Sequence, residues 1–355
     1  MLQRGRRHLI LMTPTSTIRC WILRLAKLAG LMALCPVAMA DEVKPAAAYQ
    51  HYLVGNAADV VRPTTGLLVL QGGGDDVDEN YVRMGAHGGG GDFVVLRASQ
   101  AGQYNDYIYA LCHCDSVETI VFNDRAAASD PYVIQTIRNA EALFIAGGDQ
   151  GRYVRFWKGT PVQDAVDFVA AKPAPIGGTS AGMAILGEFV YSSMRESLTS
   201  AVALADPYSP DVTLEKEFLA LPRLRGILTD QHLQERDRIG RTVTMLARLM
   251  KDGWSTKPLA IAADRETAVH IDPRDGTAEV FATATYPTPY AYFMRPTQSP
   301  EHCEAGQPLT FQDVEVYRLG PGGRFDLSAW QGTGGISYRL SARAGVLTSS
   351  RDAIY

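Results

Sequence analysis

The chain has 355 residues, of which 46% are hydrophobic and 20% are charged. This composition is typical of a soluble globular protein and supplies enough apolar side chains for one large core or two smaller ones. The formal net charge of −4 excludes a strongly basic surface, so we expect neither nucleic acid nor an anionic membrane as a partner.

The first 40 residues have the pattern of a secretory signal peptide. Basic residues precede a short apolar run, 28–40, which ends in Ala38-Met39-Ala40. Because this run is too short to cross about 30 Å of hydrocarbon and contains Pro36, the pattern favours a cleaved signal over a membrane anchor. We therefore expect cleavage after Ala40, a secreted or periplasmic protein, and no membrane span once the signal is removed. Translation beginning at Met12 instead of Met1 would fit the same pattern.

Three cysteines remain after removal of the signal, Cys112, Cys114 and Cys303. One disulfide bond and one free thiol would fit an oxidising compartment, but the sequence does not fix the pairing. These cysteines and the neighbouring histidines lack the C-x₂-C spacing of zinc sites, so we expect no bound metal.

From about residue 65 onward, short apolar runs alternate with helical patterns. The runs are apolar at successive positions, which is typical of strands buried on both faces of a parallel sheet. Two helices begin at Asp130-Pro131 and Thr160-Pro161, where a capping residue precedes proline. This alternation predicts an α/β fold with a doubly wound, mostly parallel sheet and helices on both faces. The strand candidates are Leu67–Leu70, Phe93–Leu96, Thr119–Phe122, Ala142–Ile145 and Pro175–Ile176.

The second half of the chain is less regular. A long amphipathic helix is predicted from about 231 to 251. The segment from Gly320 is rich in glycine and serine, and we expect a small β-rich C-terminal appendage with a poorly ordered tail. The predicted organisation is a signal peptide (1–40), an α/β domain (41–300), and a C-terminal strand and tail (301–355). Further strand-like runs lie at 259–263, 268–271, 279–281 and 314–319.

Ser180 is the candidate nucleophile. It lies in Gly177-Gly178-Thr179-Ser180-Ala181-Gly182, between a buried strand candidate and helix-favouring residues. A strand, a tight turn of small residues and a helix form a nucleophile elbow, in which the N–H of Ala181 is a natural oxyanion donor. The other interpretation is a nucleotide-cradling loop, but no lysine follows the glycines.

A second glycine turn, Gly147-Gly148, follows the strand candidate Ala142–Ile145. At the carboxyl end of a parallel strand it should face the same crevice as Ser180, where an N–H of Gly148 can supply the second oxyanion donor. The alternative is an ordinary strand-to-helix turn.

His232 is the candidate base, because a serine hydroxyl needs a positioned imidazole to take its proton. It follows a short apolar run, at the predicted start of the long helix. Arg236, Arg238 and Arg241 follow it. They are either a solvated helix face paired with neighbouring acids or a clamp for carboxylates, which favours an acidic substrate.

Taken together, these residues resemble the cyanophycinases and their aspartyl-dipeptidase relatives, a family of serine peptidases. The resemblance implies a flavodoxin-like, class I glutamine-amidotransferase-like fold, with Ser180 as nucleophile, His232 as base, and Gly148 and Ala181 as oxyanion donors. It also implies that the substrate is cyanophycin, a polyaspartate that carries arginine on each β-carboxylate. Enzymes of this family cut cyanophycin to β-aspartyl-arginine. The implied substrate contacts are Gln150, Asp230, Gln231, Arg236, Arg238 and Arg241. The stretches that carry the resemblance are 72–76, 146–150, 177–186, 230–241 and 264–268.

One position departs from the family pattern. The family has Asp-Glu-x-Thr-Ala after the strand that follows the long helix, and its glutamate orients the histidine. Here the segment reads Asp264-Arg265-Glu266-Thr267-Ala268, and an arginine cannot accept the imidazole N–H. We expect Glu266 to orient His232. The remaining alternatives are Asp264 or a missing third member, whose loss can lower the rate by about 10⁴.

The sequence therefore predicts an exported serine exopeptidase without cofactor or metal, acting on a peptide substrate that carries carboxylates. The alternatives are a dipeptidase for soluble aspartyl dipeptides and a catalytically impaired binding protein of the same fold. The sequence leaves open whether the protein forms a homodimer.

Overall fold

The computed structural model describes residues 47–99 and 104–355, so the predicted signal peptide lies outside the described residues. The strands, in chain order, are β1 (Tyr49–Gly55), β2 (Leu68–Gln71), β3 (Asp92–Arg97), β4 (Ser116–Phe122), β5 (Ala142–Ile145), β6 (Ile176–Thr179), β7 (Val190–Tyr191), β8 (Leu214–Glu215), β9 (Ile227–Gln231), β10 (Leu259–Ala263), β11 (Thr267–Ile271), β12 (Thr277–Ala282), β13 (Ala291–Pro296), β14 (Phe311–Leu319), β15 (Arg324–Asp326), β16 (Gln331–Thr333), β17 (Ile336–Arg343) and β18 (Val346–Ser349). The helices are α1 (Asp78–His87), α2 (Asn105–Cys112), α3 (Pro131–Asn139), α4 (Gln150–Trp157), α5 (Pro161–Ala171), α6 (Ala181–Ala184), α7 (Ser200–Ala205) and α8 (Ile239–Lys251).

The described strands form two large mixed sheets and a short third one made of β7 and β8. The order of the larger sheet is β1-β4-β3-β5-β6-β2-β11-β12-β15-β16, in which β4, β3, β5, β6 and β2 are parallel neighbours. The order of the other large sheet is β18-β17-β14-β13-β10-β9, in which β10 and β9 are parallel.

The α/β class is as predicted, but the expectation of a mostly parallel sheet is wrong, and a doubly wound arrangement of the whole sheet is not confirmed. Antiparallel pairs outnumber parallel ones among the described strands, because most strands after α8 join antiparallel neighbours. Short connections, such as the turn between β11 and β12, permit only antiparallel pairing of successive strands. The parallel pairs are formed by strands of the first half of the chain and by β9 with β10, which helix α8 separates.

Helices cover both faces of the parallel section. Leu68 and Leu70 of β2 pack into the core cluster that contains residues of α3, α4 and α5, whereas Val69 packs with residues of α1 and α2. This explains the continuous apolar runs, since successive residues of each strand are buried on opposite faces. The start of α3 is also as predicted, because the Asp130 side chain accepts a hydrogen bond from the Tyr132 N–H at 2.9 Å.

The C-terminal segment is not a poorly ordered appendage. β15 pairs with β12 in the larger sheet, while β17 and β18 extend the other large sheet beyond β14. Alternate residues of β17, Tyr338, Leu340 and Ala342, are buried. The many small and polar residues between them obscure this period of two in the sequence.

The cysteines and the helix lengths also bear on the expectations from the sequence. Cys112 and Cys114 form a disulfide bond, and Cys303 is a buried free thiol. No helix in the described part of the chain is both long enough and apolar enough to span a bilayer.

Candidate active site

Ser180 occupies a strained turn between β6 and α6. Its backbone has φ 51° and ψ −114°, a region that residues other than glycine adopt rarely. Close packing forces the chain through this turn, because a Cβ at Gly182 would lie 2.0 Å from the carbonyl oxygen of Ile145 and one at Gly178 would lie 2.7 Å from the carbonyl carbon of Gly182. The sequence thus folds into a strand–turn–helix that presents the serine hydroxyl, as nucleophile elbows do.

His232 meets Ser180 across a single crevice. The Nε2 atom of His232 lies 3.0 Å from the Oγ of Ser180. The histidine follows β9 directly, and its backbone N–H donates to the carbonyl of Gly72 at 2.9 Å. Gly73 makes room for the ring, since a Cβ there would lie 2.2 Å from Nε2.

The imidazole is neutral at physiological pH. Burial lowers the pKa of His232 to about 4, and the hydrogen bond with Glu235 acts in the opposite direction. The positive charges of Arg236 and Arg238 lower the pKa of His232 further. A neutral Nε2 within hydrogen-bond distance of a hydroxyl can accept its proton.

Glu235 is the carboxylate that contacts His232, and the expectation for Glu266 is wrong. The Oε2 of Glu235 lies 2.7 Å from the Nδ1 of His232. Both residues lie on a turn at 232–237, because α8 begins only at Ile239 and not near residue 231 as predicted. The available signal was the spacing of three residues, which places side chains on the same side of a turn or helix. In the sequence, Glu235 was one of the acids with which the neighbouring arginines could pair.

The carboxylate of Glu266 is engaged elsewhere. It accepts hydrogen bonds from the Arg265 guanidinium at 2.7 and 3.0 Å and from the Thr283 hydroxyl at 2.7 Å. The hydrogen bond from Thr283 is the main reason why the pKa of Glu266 is lowered.

Asp264, the second acid considered, also points away from the imidazole. One oxygen accepts from the Gln234 N–H at 2.9 Å and the other from the Tyr292 hydroxyl at 3.3 Å. Burial raises the pKa of Asp264 to about 7. This residue supports the turn that carries His232 without contacting the ring.

The glycine turn after β5 lies beside the nucleophile. A Cβ at Gly147 would be 3.4 Å from the Cβ of Ser180, and Gly148 has a φ of +139°. Ala181 begins α6 directly after the serine. Gly147 and Ala181 therefore adjoin Ser180, while the action of Gly148 and Ala181 as oxyanion donors remains a proposal.

Comparison with known proteins finds relatives that are named cyanophycinase. No family model matches the chain. A curated cyanophycinase from Trichormus variabilis is 25% identical over 218 residues, covering 60% of this chain and 66% of that protein. The cyanophycinase of Synechococcus elongatus is 24% identical over 281 residues, covering 75% of this chain and 80% of that protein. Against the first relative, the chain thus spans just under two thirds of its length.

The chain is thus similar in sequence to cyanophycinases over 60% to 75% of its length. Among solved structures, a peptidase from an acI-B1 actinobacterium is similar, with a TM-score of 0.48 and 14% identity over 74% of this chain and 98% of that chain.

The residues predicted to contact substrate differ in exposure and in their contacts within the protein. Gln150 is 7% exposed, and its amide lies 3.5 Å from the carbonyl of Tyr191. The Oε1 of Gln231 accepts a hydrogen bond from Arg238 at 2.6 Å. Burial lowers the pKa of Arg238 to about 10. Arg236, with 49% of its side chain exposed, is the most accessible of the three predicted arginines.

Asp230 and Arg241 cannot contact a substrate from where they lie, which corrects the expectation for this pair. Their side chains are 1% and 0% exposed, and they form a buried ion pair with an Nε–Oδ2 distance of 3.0 Å. Arg241 also donates to the carbonyl of Leu198 at 3.2 Å and stacks on the ring of Tyr191. Burial tends to raise the pKa of Asp230, but Arg241 holds it below its usual value. The pair joins β9 to α8, so its role in this cyanophycinase-like fold is structural.

Among the described residues, no group of three or more His, Cys, Asp or Glu side chains is arranged to hold a metal ion.

Proposed function

We propose that the chain is an exported serine peptidase that hydrolyses β-linked aspartyl peptides, with cyanophycin as the first candidate substrate. The observation that carries this proposal is the 3.0 Å contact between the Ser180 hydroxyl and the Nε2 of a neutral His232. The contact lies at a strained strand–turn–helix, where a nucleophile is presented to a crevice.

The reaction follows from this geometry in two steps. Ser180 attacks the substrate carbonyl while His232 takes its proton, and the N–H groups of Ala181 and Gly148 receive the oxyanion. His232 then protonates the leaving amine, which leaves an ester on Ser180. Water attacks that ester while His232 takes its proton, and His232 then returns this proton to the Oγ of Ser180 as the acid product leaves.

The substrate proposal rests on relatives and on charge. The relatives are named cyanophycinase. Arg236 and Arg238 place positive charge close enough to His232 to lower the pKa of the imidazole. Guanidinium groups bind carboxylates well, which suits a polyaspartate backbone or its dipeptide fragments.

Incubation with insoluble cyanophycin and with soluble α- and β-aspartyl dipeptides tests the proposal. We expect the wild-type protein to clear the polymer and release β-aspartyl-arginine, and Ser180→Ala to release none. Hydrolysis of dipeptides but not of the polymer would favour the dipeptidase alternative. Equal hydrolysis by wild type and Ser180→Ala would exclude Ser180 as the nucleophile.

The idea of a binding protein without activity was motivated by Arg265 in place of an orienting acid. The carboxylate of Glu235 on the imidazole removes that motive, because the Nδ1 of His232 does have an acidic partner. A hydrolase is therefore the better-supported proposal.

Export is proposed from the N-terminal pattern of basic residues, apolar run and Ala38-Met39-Ala40. Expression of the full chain followed by N-terminal sequencing tests it. We expect a mature protein outside the cytoplasm that begins at Asp41, whereas an uncut cytoplasmic chain would contradict export.

A further inference from the structure

We propose that Glu235 is the positioning residue that fixes the tautomer and orientation of the His232 imidazole, and that Arg265 holds Glu235 in place. This inference rests on the proposed serine hydrolysis. It assigns the third member of the site to a residue that lies on the same turn as the base.

Glu235 and Ser180 contact opposite nitrogen atoms of the His232 ring. The Oε2 of Glu235 lies 2.7 Å from Nδ1, and the Oγ of Ser180 lies 3.0 Å from Nε2. A carboxylate is only an acceptor, so it selects the tautomer with the proton on Nδ1 and leaves Nε2 free to accept the serine proton. When the imidazole becomes positively charged during attack, the same carboxylate stabilises it, and no proton passes to Glu235.

The backbone of the turn at 232–237 fixes the separation of the His232 and Glu235 side chains. The N–H of Arg236 donates to the carbonyl of His232 at 3.2 Å, and the N–H of Arg238 donates to that of Leu233 at 2.8 Å. The Gln234 N–H is held by Asp264. The acid and the base therefore move as one unit, instead of being brought together from two separate strands.

Arg265 lies beside the carboxylate of Glu235. Its guanidinium binds Glu266, which is itself fixed by the Thr283 hydroxyl. An Nη1 of Arg265 lies 3.8 Å from the Oε1 of Glu235, the oxygen that does not contact the imidazole. An arginine cannot accept the imidazole N–H, but it can attract and orient the carboxylate that does.

The charges around Glu235 agree with this arrangement. Burial tends to raise the pKa of Glu235, yet the hydrogen bond from His232 and the nearby Arg236 and Arg265 hold it below its usual value. The charged groups that face the imidazole are Glu235, Arg236 and Arg238. Glu235 is the one among them that is negative.

The test compares Glu235→Gln with Glu215→Gln as a matched control. The two glutamates are 30% and 29% exposed, but Glu215 pairs with Lys158 and not with the imidazole. Three quantities are measured: kcat/KM for cyanophycin as a function of pH, the rate at which a fluorophosphonate labels Ser180, and the tautomer of His232 from ¹⁵N NMR near pH 7. The His232 signals are assigned by their absence in His232→Gln.

We expect Glu235→Gln to lower both rates by about 10² to 10⁴ while KM changes little, because the amide can donate to Nδ1 and the required tautomer is lost. The acid limb of the pH profile should move to lower pH, since the carboxylate raises the pKa of His232. Glu235→Asp should recover part of the rate, and Glu215→Gln should match wild type.

An unchanged tautomer in Glu235→Gln, together with rates and a pH profile like those of wild type, would overturn the inference. The NMR comparison does not need turnover. If wild-type protein neither hydrolyses cyanophycin nor reacts with the phosphonate, the proposed function fails, and the tautomer still decides whether Glu235 orients the imidazole.

Discussion

At the scale of single residues, the decisive feature is a buried imidazole between one carboxylate and two guanidinium groups. Burial dominates and lowers the pKa of His232 to about 4, while Glu235 and Arg236 act in opposite directions. The base is thus neutral over the physiological pH range. The exact pKa of His232 depends on Glu235 and Arg236. Arg236 is the more accessible of them, which makes it a good probe.

Replacing Arg236 with alanine should raise the pKa of His232, because a positive charge near the imidazole is removed. We expect the acid limb of fluorophosphonate labelling to move to higher pH by a few tenths of a unit, an order expected for a half-exposed charge. The phosphonate carries no peptide carboxylate, so this shift is independent of substrate binding. For cyanophycin, the same variant should also raise KM. A labelling profile that overlays on wild type would show that Arg236 has no influence on the base.

At the scale of elements, a glycine turn after β2 shapes the site. Gly73 has a φ of +102° and faces the ring of His232 directly, so the imidazole occupies the space where a side chain would be. Gly226, before β9, also has a positive φ of +74° but has no atom within 4 Å of a Cβ built there. The two glycines share a backbone conformation and differ in their neighbours.

Gly73→Ala and Gly226→Ala should therefore have different effects. Both carry the strain of alanine at positive φ, about 1 kcal/mol. In Gly73→Ala the new methyl group should also displace the imidazole, with a loss of at least about 10³ in kcat/KM, the order seen when a base is misplaced. Activity and urea unfolding of both variants are the measurements. Comparable activity in the two variants would mean that the imidazole tolerates the displacement.

A second element-scale feature is the buried pair between Asp230 of β9 and Arg241 of α8. Both partners are essentially unexposed, whereas the surface pair of Arg274 and Asp272 leaves 76% of the arginine side chain exposed. Breaking a buried pair leaves an uncompensated charge in the core, while a surface pair contributes little.

Arg241→Met should lower the free energy of unfolding by about 3–5 kcal/mol, whereas Arg274→Met should leave it nearly unchanged. Urea unfolding of the two variants and of wild type measures both values. If Arg241 were a substrate contact instead, Arg241→Met would raise KM without loss of stability, and that result would reverse the structural assignment.

At the scale of the whole molecule, the sequence predicted best where burial is complete. The candidate run Ala142–Ile145 coincides with β5, and the other runs of the first half overlap β2, β3, β4 and β6, since strands buried on both faces are apolar throughout. It failed where strands are exposed: β1 has largely exposed residues and was not predicted. The pairing direction of the later strands depends on tertiary contacts that no local pattern contains.

The site likewise contains residues that the sequence predicted and residues that it did not. Ser180 and His232 were recognisable because their glycine-rich and polar surroundings are unusual for buried strand ends. Glu235 was missed because its role depends on the turn at 232–237, which the helical pattern hid. Arg241 was misassigned because an arginine in sequence gives no sign of whether its charge is paired in the core.

The carboxyl group of Asp264 supports the turn at 232–237, which carries His232. Burial raises its pKa to about 7 in the folded protein, from an ordinary value of 3.8. Between these values the folded state keeps a proton that the unfolded state has lost, so this group's contribution to stability is present at low pH and disappears as the pH rises through 7. Asp264→Asn does not titrate but keeps an oxygen acceptor for the Gln234 N–H. Relative to wild type, the variant should therefore gain about 2–3 kcal/mol of unfolding free energy between about pH 5 and pH 8. Urea unfolding at these two pH values measures this difference.

Asp272→Asn is the control, because Arg274 holds the pKa of Asp272 below its ordinary value and the carboxylate is ionised throughout this range. Its offset from wild type should be constant with pH. A constant offset for Asp264→Asn as well would mean that Asp264 is ionised in the folded protein and that the turn beneath His232 is more hydrated than its burial indicates.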